Sequence, residues 1–558
     1  MKRMRIALFL AVALAAARDM VADDFAVERR IAARYGKPGL VFAADPKLAE
    51  ERYEIRADGA GRVVVVGSTR RARIYGLGRH LRESAFRGGS EPAQTLRGIY
   101  FATHFGNWYV TAPEEDVRAY VEDLALWGCN QVRVWFDMHD YAGIDDPAAT
   151  PLIGRLRAIL LAVRECGLAT SLIALSNESF ATSPEDLRAD WRGGRNGYER
   201  ELRGHYHVEI CPSKPGGLDL ILRNRAAALG LFKDIGIDEV AFFSYDQGGC
   251  TCADCAPWGF NGMLKVLPRF SELVRRTMPG CRIEYSTWLF DSFGSALGEW
   301  KGLEERIGEV KRHADALAVE NVDRIAVGVP GGLRATTMPE ISMGGMLPWG
   351  GFGANPQPSR FSGFFRKPGM AHLTGCRPYS EGIYEDLNKV LLLALGWDPS
   401  RDVREIVGDY AAFHFGEEAR GPVTEAALLM ERNLGHCAWF VQNGKRRDAY
   451  GCDRIDPKRP CEISIDCGAN AGRAAQALAL LKTLAPKIGG AWRWRILFLR
   501  ATIDDGLARG LAFDGPELAP AFAELAKIYR VADATEPFLV PPGARPLGKI
   551  RPGRFGDL

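Results

Sequence analysis

Short apolar runs alternate with longer segments of helical periodicity from about residue 96 to residue 400. Gly98–Ala102, Asn130–Phe136, Leu168–Leu175, Glu239–Ser244 and Arg282–Trp288 read as strands. Runs this short, bounded by turn residues, suit strands that are buried on both faces. Ala316–Val319, Ile341–Met346 and His372–Gly375 continue the series as strands six, seven and eight. Between them, Pro113–Trp127, Leu152–Cys166, Leu218–Ile235, Met263–Met278, Leu303–His313 and Tyr384–Leu395 carry the helical pattern. The ends agree: Glu114, Glu115 and Asp116 favour a helix N-terminus, while Gly128, Gly167 and Gly236 stop helices. Eight strand–helix units over roughly 300 residues predict an α/β fold, a (β/α)8 TIM barrel. A doubly wound open sheet is the alternative. It calls for a glycine-rich turn after the first strand, and Thr103–Trp108 is not one.

The flanks differ from this centre. Residues 23–95 mix strands and helices, among them the strand Arg62–Gly67 and the helix Ala72–Glu83, and predict a small α+β domain. Beyond residue 400, Val403–Phe415, Val423–Asn433, Ala471–Leu484, Trp492–Ala508 and Glu517–Tyr529 predict a helical C-terminal domain, 401–558. At the N-terminus, Lys2, Arg3 and Arg5 precede the apolar run Ile6–Ala17, and small residues follow before Asp23. That pattern predicts a signal peptide over residues 1–22, a secreted or periplasmic protein and no membrane span in the mature chain.

Composition narrows the function classes. Of 558 residues, 47% are hydrophobic and 25% charged, as in globular proteins. The net charge of +3, from 72 basic and 69 acidic residues, is spread along the chain. Nucleic acid is therefore not an expected partner.

The densest chemistry lies at Ser244–Gly259, where an acid, a glycine pair and three cysteines follow a strand. In a barrel, the C-terminal strand ends carry the active site. Asp246 sits there, and Glu381 sits in the turn after strand eight; both are candidate catalytic carboxyls. His104, Trp135, Asp137, His139, Glu178, Gln247, Trp288 and Tyr379 occupy other strand ends and are candidate substrate-binding residues. Aromatic planes beside carboxylates suit a sugar: ring faces stack while acids and amides bind hydroxyls. Trp135 is equally read as a core residue, and His104 as a loop cap.

Twelve cysteines are present. Cys452, Cys461 and Cys467 suit disulfides in an oxidising compartment. Cys211, Cys250, Cys252 and Cys255 could hold a structural zinc ion, with two disulfides as the alternative. No cofactor is expected for catalysis itself.

Arg97-Gly98-Ile99-Tyr100-Phe101-Ala102-Thr103-His104-Phe105 resembles the first-strand pattern of β-N-acetylhexosaminidases. Leu126–Trp135 resembles the same family's second strand. Tyr75–Leu81 resembles the end of the small domain that precedes the barrel in hexosaminidases and α-glucuronidases, and the helical tail resembles α-glucuronidases. The cysteine-rich loop after strand four resembles that of related secreted bacterial glycosidases, some acting on N-glycans. The resemblance covers residues 24–400 and implies a glycoside hydrolase acting on a glycan, with Arg97 binding sugar hydroxyls. It implies an Asp-Glu pair after strand four, the Glu being the general acid. This chain has Asp246-Gln247 instead, and glutamine delivers no proton. The acid is then Asp246, or one of Glu178, Glu284, Glu320 and Glu381; Asp246 is the expected proton donor, with Glu381 as base, nucleophile or sugar-binding partner. A barrel that binds glycans without cleaving them is the alternative expectation. A zinc hydrolase built on the cysteines is disfavoured, because thiolate clusters without histidine form closed sites.

Overall fold

The structure, a computed structural model, describes residues 25–103, 107–202, 208–245, 248–341, 355–434, 439–442, 445–448, 453–454, 467–511 and 515–529. The chain divides into two compact units, Met1–Glu91 and Pro92–Leu558.

In the first unit, β1 (Val41–Ala44), β2 (Tyr53–Ala57), β3 (Val63–Gly67) and β4 (Gly88–Ser90) form a sheet of order β1-β3-β2-β4. Helices Ala26–Arg34 and Arg70–Arg82 accompany it. Thr69 starts the second helix, its side-chain oxygen accepting from the Ala72 amide at 3.3 Å. A buried ion pair, Glu28 to Arg73 at 2.7 Å, joins the two helices.

The second unit holds the barrel. Its strands are β5 (Leu96–Phe101), β6 (Gln131–Trp135), β7 (Ala169–Leu175), β8 (Glu239–Phe243), β9 (Arg282–Ser286), β10 (Ala316–Ala318) and β11 (Arg334–Thr337). Two short pieces, β12 (Gly375–Cys376) and β13 (Tyr379–Ser380), share the eighth position. Every neighbouring pair is parallel, and both β12 and β13 pair back onto β5. This closure removes the open-sheet alternative. Helices Glu114–Leu126, Thr150–Glu165, Gly217–Gly230, Gly262–Thr277 and Asp386–Trp397 fill the connections. Gly128, Gly167 and Gly236, in the loops leading to β6, β7 and β8, have positive φ of 95°, 73° and 80°, which explains why glycine stands there.

Two strands depart from the sequence pattern. The eighth shares only Gly375 with the expected His372–Gly375 and continues through β12 and β13. Strand seven is Arg334–Thr337, not Ile341–Met346; Ile341 lies past the strand and residues 342–346 lie outside the described residues. The reason is polar burial. The Thr336 hydroxyl points inward and donates to Glu284, so this strand never shows an apolar run.

Inward-facing residues recur every second position along each strand, and they build two layers. The lower layer is ionic. Arg133 reaches Glu239 at 2.8 Å and Glu284 at 2.5 Å; Arg377 reaches the same two acids at 2.7 and 3.0 Å. Two residues further along, the strands place Tyr100, Ala102, Trp135, Ile173, Leu175, Ala241, Phe243 and Tyr379 in one buried cluster. Trp288 and Met338 pack on this aromatic layer.

Helices Val403–Phe415, Arg420–Leu434, Cys467–Lys482, Trp492–Ala508 and Ala519–Tyr529 make up the C-terminal region, with a small antiparallel meander of β14 (Trp439–Gln442), β15 (Lys445–Asp448) and β16 (Asp453–Arg454). Arg493 fastens this region to the barrel by bonds to Asp386 at 2.8 Å and Asp123 at 2.9 Å. Among the described residues no helix is long and apolar enough to cross a membrane.

Candidate active site at the C-terminal mouth of the barrel

Continuing the two-residue step past the strand ends leads from the aromatic layer to Asp137, Glu320, Glu340 and Glu381. The mouth therefore carries carboxyls above an aromatic floor.

Glu320 follows β10. It is exposed, yet protein surrounds its carboxyl closely enough for desolvation to push it up to about 7. The Leu289 amide donates to its Oε2 at 2.7 Å, and Arg324 lies near enough to oppose the shift. Glu381 is 2% exposed and follows β13. The Tyr379 hydroxyl donates to its Oε1 at 2.7 Å. Burial, followed by the charge of Glu381, raises the Tyr379 phenol well above its usual range, so it remains a donor.

Glu340 is half-buried and pairs with Tyr379 in an isolated parallel bridge. Its charge adds to that of Glu381 on the Tyr379 phenol. The sequence pattern hides Glu340 because it places strand seven after this residue. The inward Thr336–Met338–Glu340 step is the signal that locates it.

The backbone behind Glu381 is held from the C-terminal region. The Tyr529 hydroxyl donates to the Glu381 carbonyl at 2.6 Å, and the Tyr384 hydroxyl donates to the Leu525 carbonyl. Beneath the turn, Lys389 donates to the Gly382 carbonyl at 2.6 Å. Burial pushes Lys389 down to about 8 and Glu385 up to about 7, each partly offset by the other's charge. Tyr529→Phe is expected to lower stability by about 1 kcal/mol, read as an earlier urea midpoint; an unchanged midpoint would show that this bond contributes nothing.

Glu178 belongs to a closed network rather than to an open site. It is 1% exposed. His139 donates from Nδ1 to its Oε1 at 2.9 Å, and the Trp135 indole and Arg225 both approach its Oε2 at 3.4 Å. Trp135 itself is 2% exposed and forms part of the floor. Trp288 is half-buried and packs on this floor. Asp137, 2% exposed, follows β6 at the mouth.

Two expectations need correction. Arg97 is the second residue of β5 and lies at the opposite, N-terminal end of the barrel. Its guanidinium donates to the Gly128 carbonyl at 2.8 Å and stacks on Trp397, so it braces the fold and reaches no sugar at the mouth. Glu284 cannot serve as an acid. Two buried guanidinium groups overcome its desolvation and hold it far below the carboxylate range.

His104, Asp246 and Gln247 lie outside the described residues. The residues on both sides of Asp246 and Gln247 are described and firmly held. Ser244 donates to the Trp288 carbonyl at 2.6 Å, and the Trp258 indole donates to the Ser244 carbonyl at 3.0 Å. The hydroxyls of Tyr245 and Tyr198 are 2.8 Å apart. The Gly249 amide donates to Asn177 Oδ1 at 2.8 Å, and Asn177 Nδ2 returns a bond to the Gly249 carbonyl at 2.8 Å. Gly249 has φ of +117°, and a Cβ there would come within 2.7 Å of Leu202, so the close packing of this turn requires glycine.

Among the described residues two groups of side chains are tight enough to ligate a metal: Cys211 with Cys250, Cys252 and Cys255, and Asp137 with His139 and Asp140. In the second group the His139 Nδ1 is already bonded to Glu178. None of the eight described cysteines, these four included, is in a disulfide. Cys452 and Cys461, expected to suit disulfides, lie outside the described residues. Cys467 opens a helix, and its side chain is not described.

No protein-family model matches the chain, and no curated protein does. Solved structures do match. A GH138 enzyme targeting pectin rhamnogalacturonan II is 11% identical over 87% of this chain and 66% of that one, with a TM-score of 0.53. The family 89 glycoside hydrolase from Clostridium perfringens, in complex with 2-acetamido-1,2-dideoxynojirmycin, is 12% identical over 90% of this chain and 64% of that one, with a TM-score of 0.56. A variant of that enzyme with its substrate GlcNAc-alpha-1,4-galactose gives 0.54 at 12% identity, over 90% and 64%. The chain thus spans just under two thirds of the length of these structures. At such identities the likeness establishes the fold, and the fold is the (β/α)8 barrel expected from the strand–helix alternation.

Proposed function

We propose that this chain is a glycoside hydrolase acting on a glycan, with Glu320 as the proton donor. The observation that carries this reading is the position of Glu320: an exposed carboxyl at a strand end, brought to the mouth with Asp137, Glu340 and Glu381, where desolvation pushes it up to about 7. Cleaving a glycosidic bond needs a protonated carboxyl on the leaving oxygen and a second carboxylate beside the sugar. Glu381, positioned by Tyr379 and Tyr529, supplies the second group. Trp288 stacks on the sugar ring, and Asp137 and Glu340 bind hydroxyls. The described functions of the pectin-targeting enzyme and the Clostridium perfringens enzyme agree with this reading. Export belongs to it as well, on the strength of the basic and apolar residues up to Ala22.

Gln247 favours a second reading, glycan binding without cleavage. The purified protein is screened against aryl glycosides and natural glycans, beside Glu320→Gln, Glu381→Gln and Asp246→Asn. Sugar release by the wild type that Glu320→Gln abolishes, with binding retained, is the expected result. Release that survives Glu320→Gln but not Asp246→Asn would move the donor to Asp246. Saturable binding with no release would establish the second reading.

A further inference from the structure

We propose that Cys211, Cys250, Cys252 and Cys255 bind one structural zinc ion that ties together the loops following β7 and β8. The four Sγ atoms all lie within 4.8 Å of one another. Cys211 Sγ is 3.8 Å from Cys252 Sγ and 3.7 Å from Cys255 Sγ. A tetrahedral ion with zinc–sulfur bonds of about 2.3 Å places its ligands about 3.8 Å apart. These separations therefore match the edges of a zinc tetrathiolate. One sulfur, Cys211, stands at that distance from two others at once, which pairwise disulfides do not produce. A multi-iron cluster would hold its thiolates further apart.

The surroundings fit bound thiolates. The Asp190 amide donates to Cys250 Sγ at 3.3 Å. The Ser213 hydroxyl lies 3.2 Å from Cys255 Sγ, and Lys265 Nζ donates to Ser213 Oγ at 2.8 Å. N–H and O–H groups directed at the sulfurs spread the negative charge of a tetrathiolate. Three of the four cysteines are buried and Cys252 is half-buried. Four thiolates leave no open coordination position, so the ion is structural.

The position gives the ion a purpose. Cys211 precedes the helix Gly217–Gly230, and Cys250 immediately follows Gly249, which Asn177 fastens to the end of β7. The ion thus clamps the far side of the segment that carries Asp246. This inference is independent of the glycosidase reading, because its test measures no turnover.

Full-length protein is purified without chelator and its metal content measured by mass spectrometry. One zinc per chain is expected. Cys252→Ser should lose that zinc, while Cys166→Ala, at a buried cysteine outside the cluster, should retain it. If Cys252→Ser does not accumulate, wild type produced in cobalt-supplemented medium is examined instead; it should show the visible bands of tetrahedral cobalt bound by thiolates. Iron in place of zinc, unchanged zinc in Cys252→Ser, absent cobalt bands, or peptide mapping that finds Cys211 in a disulfide would each overturn the proposal.

Discussion

Glu320→Gln is expected to lower glycoside turnover by about 10²–10⁴-fold, the usual contribution of a general acid. The amide keeps the size of the carboxyl and can still accept from the Leu289 amide, so the fold and KM should change little. The loss should depend on the leaving group. Aryl glycosides that release a stable phenolate need little proton transfer and should suffer least; natural glycans should suffer most. The pH profile gives an independent check. Desolvation raises Glu320 to about 7, so its acid form, and with it wild-type activity, should fall as pH rises through that value. The variant should lack this limb. A variant as active as wild type on natural glycans, with the limb intact, would remove Glu320 from the mechanism.

Glu284→Gln should be the most destabilising single change in the barrel, costing about 3–5 kcal/mol. Glu284 accepts from Arg133 at 2.5 Å and from Arg377 at 3.0 Å, and all three are essentially inaccessible to water. A glutamine would turn N–H donors towards two guanidinium groups and leave Glu239 to balance both charges. The expected readout is a large fall in urea midpoint at neutral pH. The depressed Glu284 pKa fixes the sign of the pH dependence. Its stabilising contribution is present above the usual carboxylate range and is lost only as pH falls towards its lower folded value. Replacing Glu284 and Arg377 together by leucine should cost less than the two single changes added, because neither charge is then left without its partner. Equal stability of wild type and Glu284→Gln would show that the ionic layer is not needed to hold the barrel.

Much of the barrel was legible because its strands are buried on both faces and its helices stop at glycines. Val240–Phe243 and Leu172–Leu175 announce themselves as apolar runs. Strand seven does not, since its inward residue Thr336 is committed to Glu284. That displacement hides Glu340, which the observed strand brings to the mouth. The carboxyls were legible as types at strand ends, but their roles were not. Glu178, Glu284, Glu320 and Glu381 look alike in sequence. What separates them is surroundings: a histidine and an arginine around the first, two arginines around the second, a solvent-reachable rim for the third and a tyrosine for the fourth. Arg97 was misread because a motif at a strand start was assigned the chemistry of the strand's other end. The four cysteines were legible as a group, but the sulfur separations on which the zinc proposal rests were not.

The bond from Tyr529 to the Glu381 carbonyl spans 148 residues of chain. A ribosome completes the last barrel strand long before it reaches Tyr529. The nascent barrel can therefore close while the turn bearing Glu381 still lacks its support. Shaping of that turn is deferred until the helix Ala519–Tyr529 emerges and docks, so a chain interrupted just before this helix would carry a closed barrel with an unfinished mouth.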